Sequence, residues 1–148
     1  MSNNKLTRLD EAAFSALPNL VALDLSNNKD LEVYGRVFMG LEKNLIELNL
    51  NNISIYQAPD LALPNLRILK LAHNELPSIP TENAVNLTSL RDLDLSYNDL
   101  TAVPIITRSL EFLNSLSLAG NPITSLTNTS LLGSAEQLES LDISHLPL

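Results

Sequence analysis

The chain has 148 residues, 45% of them hydrophobic but only 4% aromatic, with a formal charge of -8 and no cysteine. So few aromatics leave leucine and isoleucine to build the core, which suits a stack of near-identical layers better than an irregular interior. The missing cysteines exclude a disulfide framework and any Cys-based metal site, and the acidic balance argues against non-specific binding to nucleic acid or an anionic membrane.

Residues 1–19 read as the back half of a repeat, with Asn4 and Leu6 followed by Leu9, Phe14 and Leu17. Six strand cores follow: LVALDLSNN (20–28), LIELNLNNI (45–53), LRILKLAHN (66–74), LRDLDLSYN (90–98), LNSLSLAGN (113–121) and LESLDISHL (138–146). Their starting residues, 20, 45, 66, 90, 113 and 138, lie 25, 21, 24, 23 and 25 residues apart. A fixed period of this size is the mark of a solenoid.

The clearest copy, LRDLDLSYNDL (90–100), has the form Leu-x-x-Leu-x-Leu-x-x-Asn-x-Leu. Leu93 and Leu95 alternate with Asp92, Asp94 and Ser96, as in a short strand with one buried face. Asn98 falls where the chain must turn away, and its amide can bond main-chain groups that the turn leaves unpaired. Asn28, Asn74 and Asn121 hold the same position, so these four are expected to form a structural ladder. Ile53 and Leu146 replace it in the second and sixth units. Asn28-Lys29-Asp30-Leu31 carries one residue too many, and the unit from 45 to 65 is short. The ladder is therefore expected to break at Ile53, with a change of curvature between about residues 50 and 65.

The return segments carry their own apolar series, Leu9/Phe14/Leu17, Val33/Phe38/Leu41, Ile79/Leu87 and Leu126/Leu131. Pro59, Pro80 and Pro104 recur at equivalent places, which favours extended segments and single 3₁₀ turns over long helices.

This pattern resembles a leucine-rich repeat array over the whole chain. The length of each unit and the Leu-x-x-Leu-Pro-x-x-x-Phe-x-x-Leu style of return are similar to the "typical" extracellular subclass, which includes Toll-like receptor ectodomains and chaoptin-like insect adhesion proteins. The resemblance implies an α/β fold: a right-handed solenoid with a parallel β-sheet on the concave side and an irregular or 3₁₀ convex side. The cysteine-rich caps of extracellular arrays are absent. Residues 1–148 are accordingly expected to be one domain, an internal segment of a longer array with Met1 an expression artefact.

The concave face presents small, polar and mildly acidic side chains. The strongest binding cluster it offers is Lys70, His73, Asp92, Asp94 and Tyr97 on neighbouring strands; an ordinary solvated face with Lys70 paired to Asp94 is the plainer expectation. His73 and His145 stand three repeats apart, roughly 14 Å at strand spacing and too far to share a metal ion. Lys70 beside Asp92 and Asp94 argues against calcium. No nucleophile-and-base arrangement or glycine-rich phosphate loop is visible, so neither a catalytic residue nor a cofactor is assigned. Asn52, Asn86 and Asn128 begin N-glycosylation acceptor triplets, at a frequency no higher than chance. The opening MSNNKLTRLD has no apolar leader stretch, and no run of 18 apolar residues exists.

From the resemblance, the expected function is non-catalytic protein recognition within an extracellular adhesion protein or receptor. Its partner would be another protein, a second copy of itself included, with neither nucleic acid nor membrane insertion. The competing readings are an intracellular adaptor and a purely structural spacer.

Overall fold

Each repeated core forms one three-residue strand in the computed structural model, which describes residues 1–148. The strands are β1 (Ala22–Asp24), β2 (Glu47–Asn49), β3 (Ile68–Lys70), β4 (Asp92–Asp94), β5 (Ser115–Ser117) and β6 (Ser140–Asp142). They pair in parallel, each with its sequence neighbours, in one six-stranded sheet. The register is constant: Leu23, Leu48, Leu69, Leu93, Leu116 and Leu141 lie side by side. A slip of one residue would turn every leucine out to solvent, so the buried face holds the strands in step.

The middle leucines of β1 to β5 are at most 6% exposed, and 33 buried residues form one continuous core from Phe14 to Ile123. The convex side is irregular apart from α1 (Thr81–Ala84) and two 3₁₀ turns, Ile105–Ser109 and Leu132–Ser134. Pro80 and Pro104 are extended, with φ/ψ of -59°/139° and -58°/136°, and each is followed directly by one of these short turns. The proline presets the approach, and its missing N–H falls where a helical turn has no use for one. No helix is long and apolar enough to cross a membrane.

The asparagine row is buried and runs through the stack. Asn98 Nδ2 donates to Leu71 O (2.9 Å) in the preceding layer and to Leu95 O (3.1 Å) in its own, while Oδ1 accepts from Leu76 N–H at 3.1 Å. Asn28, Asn74 and Asn121 repeat this arrangement, joining Leu6, Ile53 and Leu100 N–H to the layer that follows each. Ile53 interrupts the row with a 1% exposed apolar side chain. The extra residue noted near Asp30 lies opposite the break, and Leu31 N–H turns back onto Asn28 O at 3.0 Å instead of reaching the next layer. The two irregularities thus meet at one layer boundary.

One expectation about the packed interior needs correction. Leu17, assigned to the convex apolar series, is 53% exposed, because no earlier layer packs over it. A second asparagine row, unforeseen, lies at the entry to the strands: Asn44 donates to Pro18 O (2.9 Å) and Asn65 to Glu42 O (3.1 Å) and Lys43 O (3.0 Å).

Candidate functional site

On the concave sheet the outward residues alternate with the buried leucines, so the constant register lines them up in rows: Ala22, Glu47, Ile68, Asp92, Ser115 and Ser140 in one, Asp24, Asn49, Lys70, Asp94, Ser117 and Asp142 in the next. The five candidates divide into two groups. Lys70, Asp92 and Asp94 line a shallow depression of about 170 Å³ together with Ser115 and Ser117. His73 and Tyr97 stand at the rim, where their rings stack at 4.6 Å between centroids and 6° between planes.

The anticipated pairing of Lys70 with Asp94 does not form. Lys70 Nζ instead approaches Glu47 Oε1 at 3.4 Å, diagonally across to the preceding strand. Asp94 is drawn the other way, with Oδ1 accepting from Ser96 N–H (3.0 Å) and Ser96 Oγ (2.7 Å). The same turn recurs at Asp24–Ser26 and, through the main chain, at Asn49–Asn51 and Asp142–Ser144. Asp94 therefore closes the end of its strand as well as facing the concavity. Partial burial works against the Asp24 carboxylate, but the hydrogen bonds from Ser26 Oγ and N–H outweigh it and hold the carboxyl below its usual range. At exposed Asp142 the Ser144 main-chain N–H lowers the carboxyl, aided by the nearby His145.

The rim has an unusual backbone. Asn27, Asn52, His73, Tyr97 and His145 all sit at φ between 54° and 59°, and Gly120 at 67°. This left-handed conformation suits Asn and Gly but strains a bulky residue such as Tyr97. Asn52 Nδ2 donates to Asn27 Oδ1 at 2.7 Å, so the rim is occupied in pairs, amide with amide and ring with ring. Beside them Ser26, Asn27, Asn49, Asn51, Asn52 and His73 enclose a wholly polar basin of about 420 Å³. Gly120 completes the rim: a Cβ there would come within 2.5 Å of Tyr97 Cδ1.

Of the glycosylation candidates, Asn86 and Asn128 are exposed on return segments, whereas Asn52 is half-buried and engaged with Asn27. Glu47, the partner of Lys70, was missing from the sequence-derived cluster, though its place on the concave row was readable. Tyr34 and Tyr56 were also missed. Their signal is scarcity: the chain has three tyrosines, and these two are 60% and 72% exposed on the flank.

The leucine rich repeat family model matches residues 1–53, and a second leucine rich repeat model matches residues 89–110. The chain is 53% identical to chaoptin of Drosophila melanogaster over 148 residues and 51% identical to chaoptin of Tribolium castaneum over 146. It spans only 11% and 19% of those proteins' lengths. Keratocan of Gallus gallus is 33% identical over 88% of the chain, which spans 44% of that protein. Among solved structures, human 5T4 (trophoblast glycoprotein) superposes with a TM-score of 0.75 at 30% identity, covering 99% of this chain and 59% of that one. The Drosophila Toll–Spatzle complex gives a TM-score of 0.64 at 18% identity, covering 99% of this chain and 26% of that one, a likeness of fold alone. The repeated strands, the buried asparagine row and these matches agree: the chain belongs to the leucine-rich repeat family.

Proposed function

We propose that the chain is a non-catalytic scaffold for protein recognition, part of an extracellular adhesion protein or receptor. The observation that carries this reading is the concave sheet, whose polar side chains stand in fixed register on a single rigid core. A surface so constrained loses little conformational entropy when a partner docks. Similarity to chaoptin supports the extracellular setting, and the Toll–Spatzle complex supplies a protein of this fold found with a protein partner. The proposed contact residues are Lys70 and Asp92 in the depression and His73 and Tyr97 on the rim, with Asp94 contributing its second oxygen.

A specific observation favours the spacer reading as a second possibility: Asp24, Asp94 and Asp142 each close a strand end and would be retained for that reason alone. Beads coated with the chain test recognition between copies. Clumping of wild-type beads that Lys70→Glu and Tyr97→Ala abolish, with unchanged melting, supports recognition through this face. Dispersed wild-type beads reject homophilic contact, and clumping that both variants preserve rejects the concave face. Expression in a secretory host tests the setting, with glycan expected on Asn86 and Asn128 and its absence counting against secretion.

A further inference from the structure

The flank of the solenoid just beyond the asparagine row is laced wherever that row is intact. Leu6 N–H meets Asn28 and Glu32 N–H meets Thr7 O; Ile55 N–H meets Asn74 and Glu75 N–H meets Ile55 O. Leu76 N–H meets Asn98 with Asp99 N–H on Leu76 O, and Leu100 N–H meets Asn121. The lacing fails where Leu146 replaces the asparagine in the last layer, and at one interior boundary, where Ile53 replaces it. There no main-chain hydrogen bond joins residues 29–34 to residues 53–58, and the two layers are tied again only at Gly35, whose C=O accepts from Asp60 N–H at 3.1 Å.

A cleft of about 510 Å³ opens at that boundary, lined by both segments. This is within the size range of ligand-binding sites. Ser54 and Tyr56 N–H, on exposed residues of one wall, take no partner within the protein; Val33 N–H and C=O on the facing wall are also unpartnered but belong to a residue only 3% exposed. Tyr34 and Tyr56 flank the opening, 60% and 72% exposed. Lys29 lines the cleft together with Asp30 and Glu32, so its walls carry one positive and two negative side chains, a slight acidic excess.

We infer that this cleft receives a short linear segment of a partner protein, separately from anything bound on the concave sheet. The accessible, unpartnered Ser54 and Tyr56 N–H groups match the carbonyls that a peptide main chain offers at every residue. Exposed tyrosines are suited to hold an apolar side chain between them, since they present rigid amphipathic surface at little entropic cost. Ile53 is then the substitution that keeps the site open.

A random linear peptide library displayed on phage, selected in parallel on the wild-type chain and on the Tyr34→Ala/Tyr56→Ala double variant, tests the inference. The altered side chains are exposed, and a thermal melt checks that the variant remains folded. Enriched peptides should bind the wild type roughly tenfold or more tightly than the double variant. They should also slow amide exchange at Ser54 and Tyr56 and bind Lys70→Glu as well as wild type. Peptides that bind both proteins equally, or lose binding with Lys70→Glu, overturn the inference. So does a selection that yields no peptide preferring the wild type. A glycan array showing tyrosine-dependent binding where no peptide does would reassign the cleft to carbohydrate.

Discussion

Asn98 is 5% exposed and spends its amide on carbonyls of two layers while accepting an N–H from the earlier one. Replacing it by alanine leaves Leu76 N–H buried without a partner, while Leu71 O and Leu95 O keep the amides of Asn74 and Asn121, so Asn98→Ala should cost about 1–3 kcal/mol in chemical denaturation. Stability equal to wild type would mean that water substitutes for the amide. The strand-end carboxylates make a different prediction. Because the folded-state pKa of Asp24 lies below its unfolded value, this group contributes stability above the unfolded pKa and loses it as pH falls through the folded one. In an NMR titration, Ser26→Ala should raise the Asp24 midpoint toward the usual carboxylate value and shift the onset of acid unfolding to higher pH. An unmoved midpoint would remove the Ser26 hydroxyl as a cause.

The elements are too short to stand alone: three-residue strands and a four-residue helix bury nothing by themselves. Their order comes from stacking, and the rim shows how closely neighbouring layers constrain each other. Gly120 sits at a positive φ directly beside the Tyr97 ring, which in turn stacks on His73. Gly120→Ala should therefore displace both rings, visible as altered His73 ring shifts in NMR, and cost about 1 kcal/mol from the backbone conformation alone. Ring shifts identical to wild type would show that Tyr97 holds its position without that space. The flank cleft belongs to the same scale, being the consequence of one missing amide and one extra residue in adjacent layers.

Over the whole molecule, each layer is supported by its neighbours, and support is unequal along the stack. β6 pairs only with β5, and Leu141 is 40% exposed where Leu93 is 2%. Stability in such an array is approximately a sum of layer and interface contributions, so an end layer opens first. Hydrogen exchange of the 148-residue chain should protect β2 to β5 most strongly and β6 least. Uniform protection from β1 to β6 would show a single cooperative unit with no fraying.

The layered solenoid was legible at the level of Leu93, Leu95 and Asn98, because identical spacing in successive units forces identical register and a shared buried face. The break at Ile53 was legible for the same reason. What required tertiary structure was the fate of groups whose partners lie about one layer, or 20–25 residues, away. Lys70 stands directly opposite Asp94 yet approaches Glu47 diagonally, while Ser96 holds one oxygen of Asp94 toward the strand end. The His73–Tyr97 stack needed the left-handed turns that aim both rings along the rim. The cleft between Tyr34 and Tyr56 needed two irregularities, distant in sequence, to meet across one layer boundary. Periodicity in the chain thus determines the stack, while departures from it acquire meaning only where folding sets them face to face.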